Sequence, residues 1–161
     1  MSVGRDTSAK NVNEILSQVM ITRGMLPKSM GAVHWNMTSL VKNTTLSKAL
    51  IDGPYLKNAL VPASPWLDNK APASPSGTTA IQNDQVRVTV KFADEKDVFR
   101  WVVYYQYGSA WKYQVLNRNE RSIDVPRSIT EKAGPVSLGK VMVSAVDRTG
   151  NESEKIEIGL N

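Results

Sequence analysis

Few residues of this 161-residue chain could do chemistry, and their spacing narrows the choice further. The single histidine, His34, stands beside Trp35 and Asn36 and so groups an imidazole, an indole and an amide. A lone histidine in an apolar run is more often a satisfied core residue than a catalyst, and that alternative stays open. Asp147, Asn151 and Glu152 are close enough to suggest a calcium loop, but the alternating oxygen ligands of such a loop are missing. A hairpin turn on Gly150-Asn151 accounts for them. The chain has no cysteine, which excludes disulfides, CxxC redox chemistry and thiolate metal sites. No metal and no cofactor is expected. Asn36-Met37-Thr38, Asn43-Thr44-Thr45 and Asn151-Glu152-Ser153 match the glycosylation triplet, which carries meaning only in a source that glycosylates.

Two regions of different period must position these residues. In residues 11–23, Val12, Ile15, Leu16, Val19 and Met20 recur at helical spacing and form one apolar stripe. Asn11 and Glu14 have capping-box spacing, and Gly24 stands where a glycine would stop the helix. Gly31–Asn36 has the length of a strand covered on both sides. A second helix is expected over Thr45–Asp52, ended by Gly53-Pro54. Helix, strand, helix is the grammar of a parallel α/β fold. Pro62, Pro65, Pro72 and Pro75 then mark an extended linker, with Trp66-Leu67 too apolar for a free tether. After residue 80 the period is two. Val86, Val88, Val90 and Phe92 alternate with polar residues, as do Phe99, Trp101, Val103 and Tyr105 with Arg100, Val102 and Tyr104. Val141, Val143 and Ala145 alternate likewise, and Ile156, Ile158 and Leu160 close the chain. Weaker strands fall at Tyr113–Leu116 and Ser122–Val125. So many short strands in so few residues make a small β-sandwich. The expectation is an α+β chain in two parts, divided as 1–60, a linker over 61–79, and a sandwich over 80–161.

Lysine and arginine total 20 against 15 acids, a net +5 without a basic run, so no nucleic-acid partner is expected. No apolar stretch approaches the roughly 18 residues of a membrane span. The first twenty residues lack the ordered regions of a signal peptide. Either the protein is cytosolic, or this sequence starts downstream of a targeting segment.

The second region resembles a fibronectin type III module. The likeness runs through Val86–Phe92 and Trp101–Tyr105. It is sharpest at Val141–Ser153, a strand ending in Ala145-Val146-Asp147 before a Gly150-Asn151 turn. Phe92 stands where that family often has tryptophan, and Val141 where it often has the tyrosine of the tyrosine corner. The first region resembles the C-terminal end of the glycosyl hydrolase-like family related to family ten. That likeness rests on Glu14–Gln18 with Thr22-Arg23, on Gly31–Met37 and Leu40–Asn43, and on Gly53-Pro54-Tyr55, Ala59–Pro62 and Pro65-Trp66-Leu67. It implies a (β/α)8 barrel followed by a fibronectin-like module, often secreted or lipid-anchored. Location would then be extracellular or the cell envelope. Val12–Arg23 would be the seventh helix, Gly31–Asn36 the eighth strand and Ser39–Asp52 the last helical layer. A whole barrel needs about 250 residues, so only its end is present.

On that resemblance the substrate would be a polysaccharide of the parent protein. Glycoside hydrolysis usually takes two carboxylates about 5–5.5 Å apart for retention and wider for inversion. Glu14 and Asp52 belong to helix ends rather than strand ends, where barrels place their chemistry. Asp6 is the only acid in a loop of the active face, with Arg5 beside it as a possible substrate contact. An N-capping or solvated-loop role is the ordinary alternative for Asp6. No catalytic residue is therefore expected in this chain. His34, Trp35 and Asn36 would sit near the C-terminal end of the eighth strand, where an indole can stack on a sugar and an amide can bond its hydroxyls. The rival reading is a sandwich that itself binds carbohydrate or protein. Solvent-facing aromatics in a row would favour it.

Overall fold

The computed structural model describes residues 9–25, 31–34, 36–92 and 96–160. The chain divides into two compact units, Met1–Asn58 and Ala59–Asn161. Helices lie in the first and strands in the second, an α+β chain.

In the first unit α1 spans Ala9–Met25, α2 Met37–Lys42 and α3 Thr44–Asp52. The apolar stripe does what its spacing demands. Val12, Ile15 and Val19 of α1 bury against Leu46 and Leu50 of α3, with Leu16, Leu40 and Ala49 at the margin. Met20 lies off this stripe and is more than half exposed. Asn43 caps α3, its Oδ1 accepting the Leu46 N–H at 3.0 Å, and the chain turns away at Gly53. Two end signals act differently from expectation. The helix is already running at Asn11, so Glu14 accepts from Gln18 one turn on instead of closing a capping box. Gly24 lies inside the last turn, because one glycine costs a helix only about 1 kcal/mol.

The strand expected at Gly31–Asn36 is not formed: residues 31–34 and 36 are irregular. A strand needs a neighbour to take its N–H and C=O groups. No described segment of this unit is extended to provide one, so the α/β grammar is not completed here.

In the second unit the strands are β1 Ser76–Gln82, β2 Gln85–Lys91, β3 Arg100–Tyr107, β4 Ala110–Asn117, β5 Ser122–Pro126, β6 Ser128–Glu131, β7 Gly134–Val146 and β8 Ile156–Ile158. One sheet has the order β1-β2-β5. The other has β4-β3-β7, with β6 and β8 on successive stretches of the long β7. Every pairing is antiparallel, and the two inner faces enclose one core. Alternation decides the membership of that core: Val86, Val88 and Val90, then Trp101, Val103 and Tyr107, then Val141, Val143 and Ala145. Polar tips inside it are satisfied. Trp101 Nε1 donates to the Arg118 carbonyl at 3.0 Å, and the Tyr107 hydroxyl donates to the Pro126 carbonyl across the two sheets. Phe99, assigned by alternation to the core face, precedes β3 and carries the Arg100 and Arg148 guanidinium groups on its ring.

The sandwich begins at Ser76, not at residue 80. Strand β1 carries Ser, Gly and Thr, and pairs with β2 through main-chain bonds that need no apolar side chain. The proline-rich stretch is pinned, though by other atoms than expected. Trp66 and Leu67 are 78% and 72% exposed. Leu60 instead covers Val102, Val115 and Val146 on the outer face of the second sheet, beside Tyr104. Ser64 N–H donates to the Thr149 carbonyl at 2.8 Å, and Asn151 Nδ2 to the Asp68 carbonyl at 3.0 Å.

Candidate functional site

Of the five residues singled out for binding, Arg5, Asp6 and Trp35 lie outside the described residues. Asn36 is exposed just before α2. His34 is half-buried, and the fold brings to it two residues that were not weighed as site residues. Its Nε2 lies 2.7 Å from the Tyr55 hydroxyl, and the two rings meet edge to face at 5.8 Å. The Arg23 guanidinium lies 5.3 Å from the Tyr55 centroid, and its Nη1 donates to the Pro54 carbonyl. Thus the end of α1 and the turn after α3 hold a cation, a phenol and an imidazole together. His34 Nδ1 is buried without a partner among the described residues. The signal for Tyr55 was present: a tyrosine directly after a helix-ending Gly53-Pro54 has its direction set by the turn.

Such a group can bind a hydroxyl-rich or anionic ligand. None of its three residues is a carboxylate, and the described acids of this unit are engaged locally. Glu14 bonds Gln18, and Asp52 pairs with Lys48 at 2.6 Å.

The Asp147 turn is a structural device. Its carboxylate accepts from Thr149 N–H at 2.8 Å, Thr149 Oγ1 at 2.9 Å, Asn151 N–H at 2.9 Å and Asn151 Nδ2 at 2.9 Å. Donors surround the oxygens that a cation would need, and no cluster of metal-binding side chains occurs among the described residues. Burial pushes this carboxyl upward, but the bonds from Asn151 and Thr149 outweigh it and hold the group below the usual carboxylate range. The stabilisation is therefore fully present above the unfolded value of about 3.9, and is lost as pH falls through the lower folded value. Asp147→Ala is expected to lower the neutral-pH melting temperature and flatten its decline below about pH 5. An acid limb of unchanged steepness in melts across pH 3–7 would contradict this.

The outer face of the second sheet holds a third group. Glu152 Oε1 accepts from the Tyr104 hydroxyl and from Ser144 Oγ, both at 2.6 Å, and Lys155 Nζ lies 4.3 Å from the Tyr104 ring centroid. Burial first, and the Glu152 bond second, push the Tyr104 phenol well above its ordinary range, so it stays a donor. Pairing places Tyr113 opposite Tyr104 and Trp111 opposite Gln106. Both edge-strand rings are open, at 42% and 46% exposure. Tyr104 therefore pairs with Tyr113 across the strands, their ring centroids 6.3 Å apart.

No family profile matches this chain. It is 27% identical over 148 residues to the Bacillus subtilis (strain 168) protein described as "Glycosyl hydrolase YngK", a match covering 88% of this chain and 28% of that protein. The chain therefore spans well under half of that relative. Among solved structures, the Clostridium perfringens spore cortex lytic enzyme SleM overlaps 56% of this chain and 28% of its own, at TM-score 0.42 and 22% identity. A fibronectin type III domain of human collagen XX overlaps 62% and 97%, at TM-score 0.41 and 16% identity. The strand order described above establishes the sandwich independently of these overlaps. No described helix is long and apolar enough to cross a membrane.

Proposed function

We propose that this chain is the C-terminal accessory portion of a glycoside hydrolase that acts on polysaccharide at the cell envelope or outside the cell. Residues 1–58 would be the closing piece of its (β/α)8 barrel. The fibronectin-like sandwich would be a spacer and docking module. The observation that carries this is the match to a glycosyl hydrolase through 88% of the chain, covering both units. The first unit adds physical support. Among the described residues five buried side chains make its core, while Val33, Met37, Val41, Ile51 and Leu56 are each more than 60% exposed. Apolar surface of that kind calls for a cover, and the rest of a barrel would supply it. In that setting the Gly31–Asn36 segment would gain the neighbours a strand needs, and Arg5, Asp6, His34, Trp35 and Asn36 would face the glycan, joined by Tyr55 and Arg23.

The 161-residue chain alone is expected to hydrolyse no polysaccharide, since the reaction takes two placed carboxylates. A longer natural product containing it is expected to cleave at least one, with His34→Ala lowering kcat/KM about 10-fold or more by loss of positioning. Reducing-end release from a polysaccharide panel measures both. Turnover by the chain alone that disappears in Asp6→Asn would overturn the accessory role, and an inactive longer product would overturn the hydrolase reading. A second reading, a carbohydrate-binding sandwich, is favoured by one observation: the open rings of Trp111 and Tyr113.

A further inference from the structure

We infer that the open half of the second sheet's outer face is a binding site for a neutral, hydroxyl-rich glycan, with Trp111 and Tyr113 as stacking platforms. The inference rests on the polysaccharide reading above and names a site for it outside the barrel. Beyond the Asn117–Arg100–Val146 rung, three more run across β4, β3 and β7 on this face: Val115–Val102–Ser144, Tyr113–Tyr104–Met142 and Trp111–Gln106–Lys140. Leu60 covers the first of these three. On the other two, Tyr104, Gln106 and Met142 are half-buried, while the β4 side is open and carries the Trp111 and Tyr113 rings.

Size and charge select the occupant. The exposed parts of the two rings amount to roughly 150–200 Å², against about 800 Å² per partner in a stable protein interface. A second copy of the chain or a folded protein is poorly matched to so small a platform, whereas one or two sugar rings fit it. The charges are already balanced. Lys140 pairs with Glu157 at 3.2 Å, Lys155 sits over the Tyr104 ring, and Glu152 is taken by two hydroxyl donors. A neutral ligand meets no unpaired charge there. The Gln106 amide stands between the Trp111 and Lys140 positions and can bond sugar hydroxyls. The Tyr113 ring is also pre-organised. Tyr104 is fixed through its hydroxyl, Tyr113 leans on it, and Trp111 and Tyr113 project from one strand face about 7 Å apart. Little side-chain freedom is then lost on binding.

The test is titration of the full chain with cello-, xylo- and chitohexaose, followed by tryptophan fluorescence and calorimetry, with thermal melts of every variant. Saturable binding to at least one is expected, weakened 10-fold or more in Trp111→Ala and abolished in Trp111→Ala/Tyr113→Ala, with melting temperatures within about 2 °C of the parent. Trp66→Ala, which removes an exposed indole elsewhere, should bind normally. Binding that survives the double variant, or no binding to any hexaose, would overturn the site. A large fall in melting temperature in both variants would also overturn it, since the rings would then be packing against protein. The hydrolase reading is judged separately, by turnover of the longer product.

Discussion

Trp101→Ala is expected to leave the sandwich largely unfolded at moderate temperature. Trp101 is fully buried, and Phe92 meets its ring edge-on at 5.4 Å. Its N–H is bonded to the Arg118 carbonyl, and the Arg121 guanidinium lies 5.4 Å from its centroid. Removing such a side chain costs about 3–5 kcal/mol, a large share of the 5–15 kcal/mol typical of a domain. A domain of this size loses about 4–8 °C per kcal/mol, so the melting temperature should fall by about 15 °C or more. Trp101→Phe keeps most of the volume but orphans the Arg118 carbonyl, a loss of about 1–3 kcal/mol, and should be intermediate. Near-UV circular dichroism during heating reads both. A melting temperature within 5 °C of the parent for Trp101→Ala would show that the ring is not the centre of the core.

Gly150→Val is expected to release the proline-rich stretch from the sandwich. Gly150 has φ +86°, and a Cβ there would stand 2.6 Å from the Val61 oxygen, 2.9 Å from the Pro62 oxygen and 3.0 Å from the Ala63 Cα. Backbone cannot yield as a flexible side chain does. The Ser64–Thr149 and Asn151–Asp68 bonds would be lost, and Leu60 would uncover Val102, Val115 and Val146. Gly134 provides the control. Its φ is +123°, but open space surrounds its Cβ position, so Gly134→Ala carries only conformational strain, of order 1–3 kcal/mol. Gly150→Val should lower the melting temperature by about 10 °C and admit protease within residues 59–68. Equal effects of Gly150→Ala and Gly134→Ala would remove the case for steric contact at Gly150.

The sandwich was legible in the sequence wherever one side of a strand faces apolar core and the other faces water. Val86-Val88-Val90, Trp101-Val103 and Val141-Val143-Ala145 could be placed from alternation alone, as could the stripe Val12-Ile15-Val19. Strand β1 could not, because Ser76–Gln82 is held by main-chain pairing, to which side-chain pattern is blind. The same blindness misplaced the anchor of the linker. Apolar character pointed to Trp66-Leu67, whereas carbonyls packed on a glycine, together with Leu60, hold the chain.

At the candidate sites the division is similar. Local sequence determined the Asp147-Thr149-Asn151 turn, since every bond to the Asp147 carboxylate spans four residues or fewer. It also determined that no thiol chemistry is possible. Only the tertiary structure could decide that Arg23, His34 and Tyr55 meet, or that Tyr113 and Trp111 lie open while Val102 is sealed. Those contacts join residues far apart in the chain. Pattern in one segment says which face is apolar, but only the packing of other segments says which part of that face is left to bind.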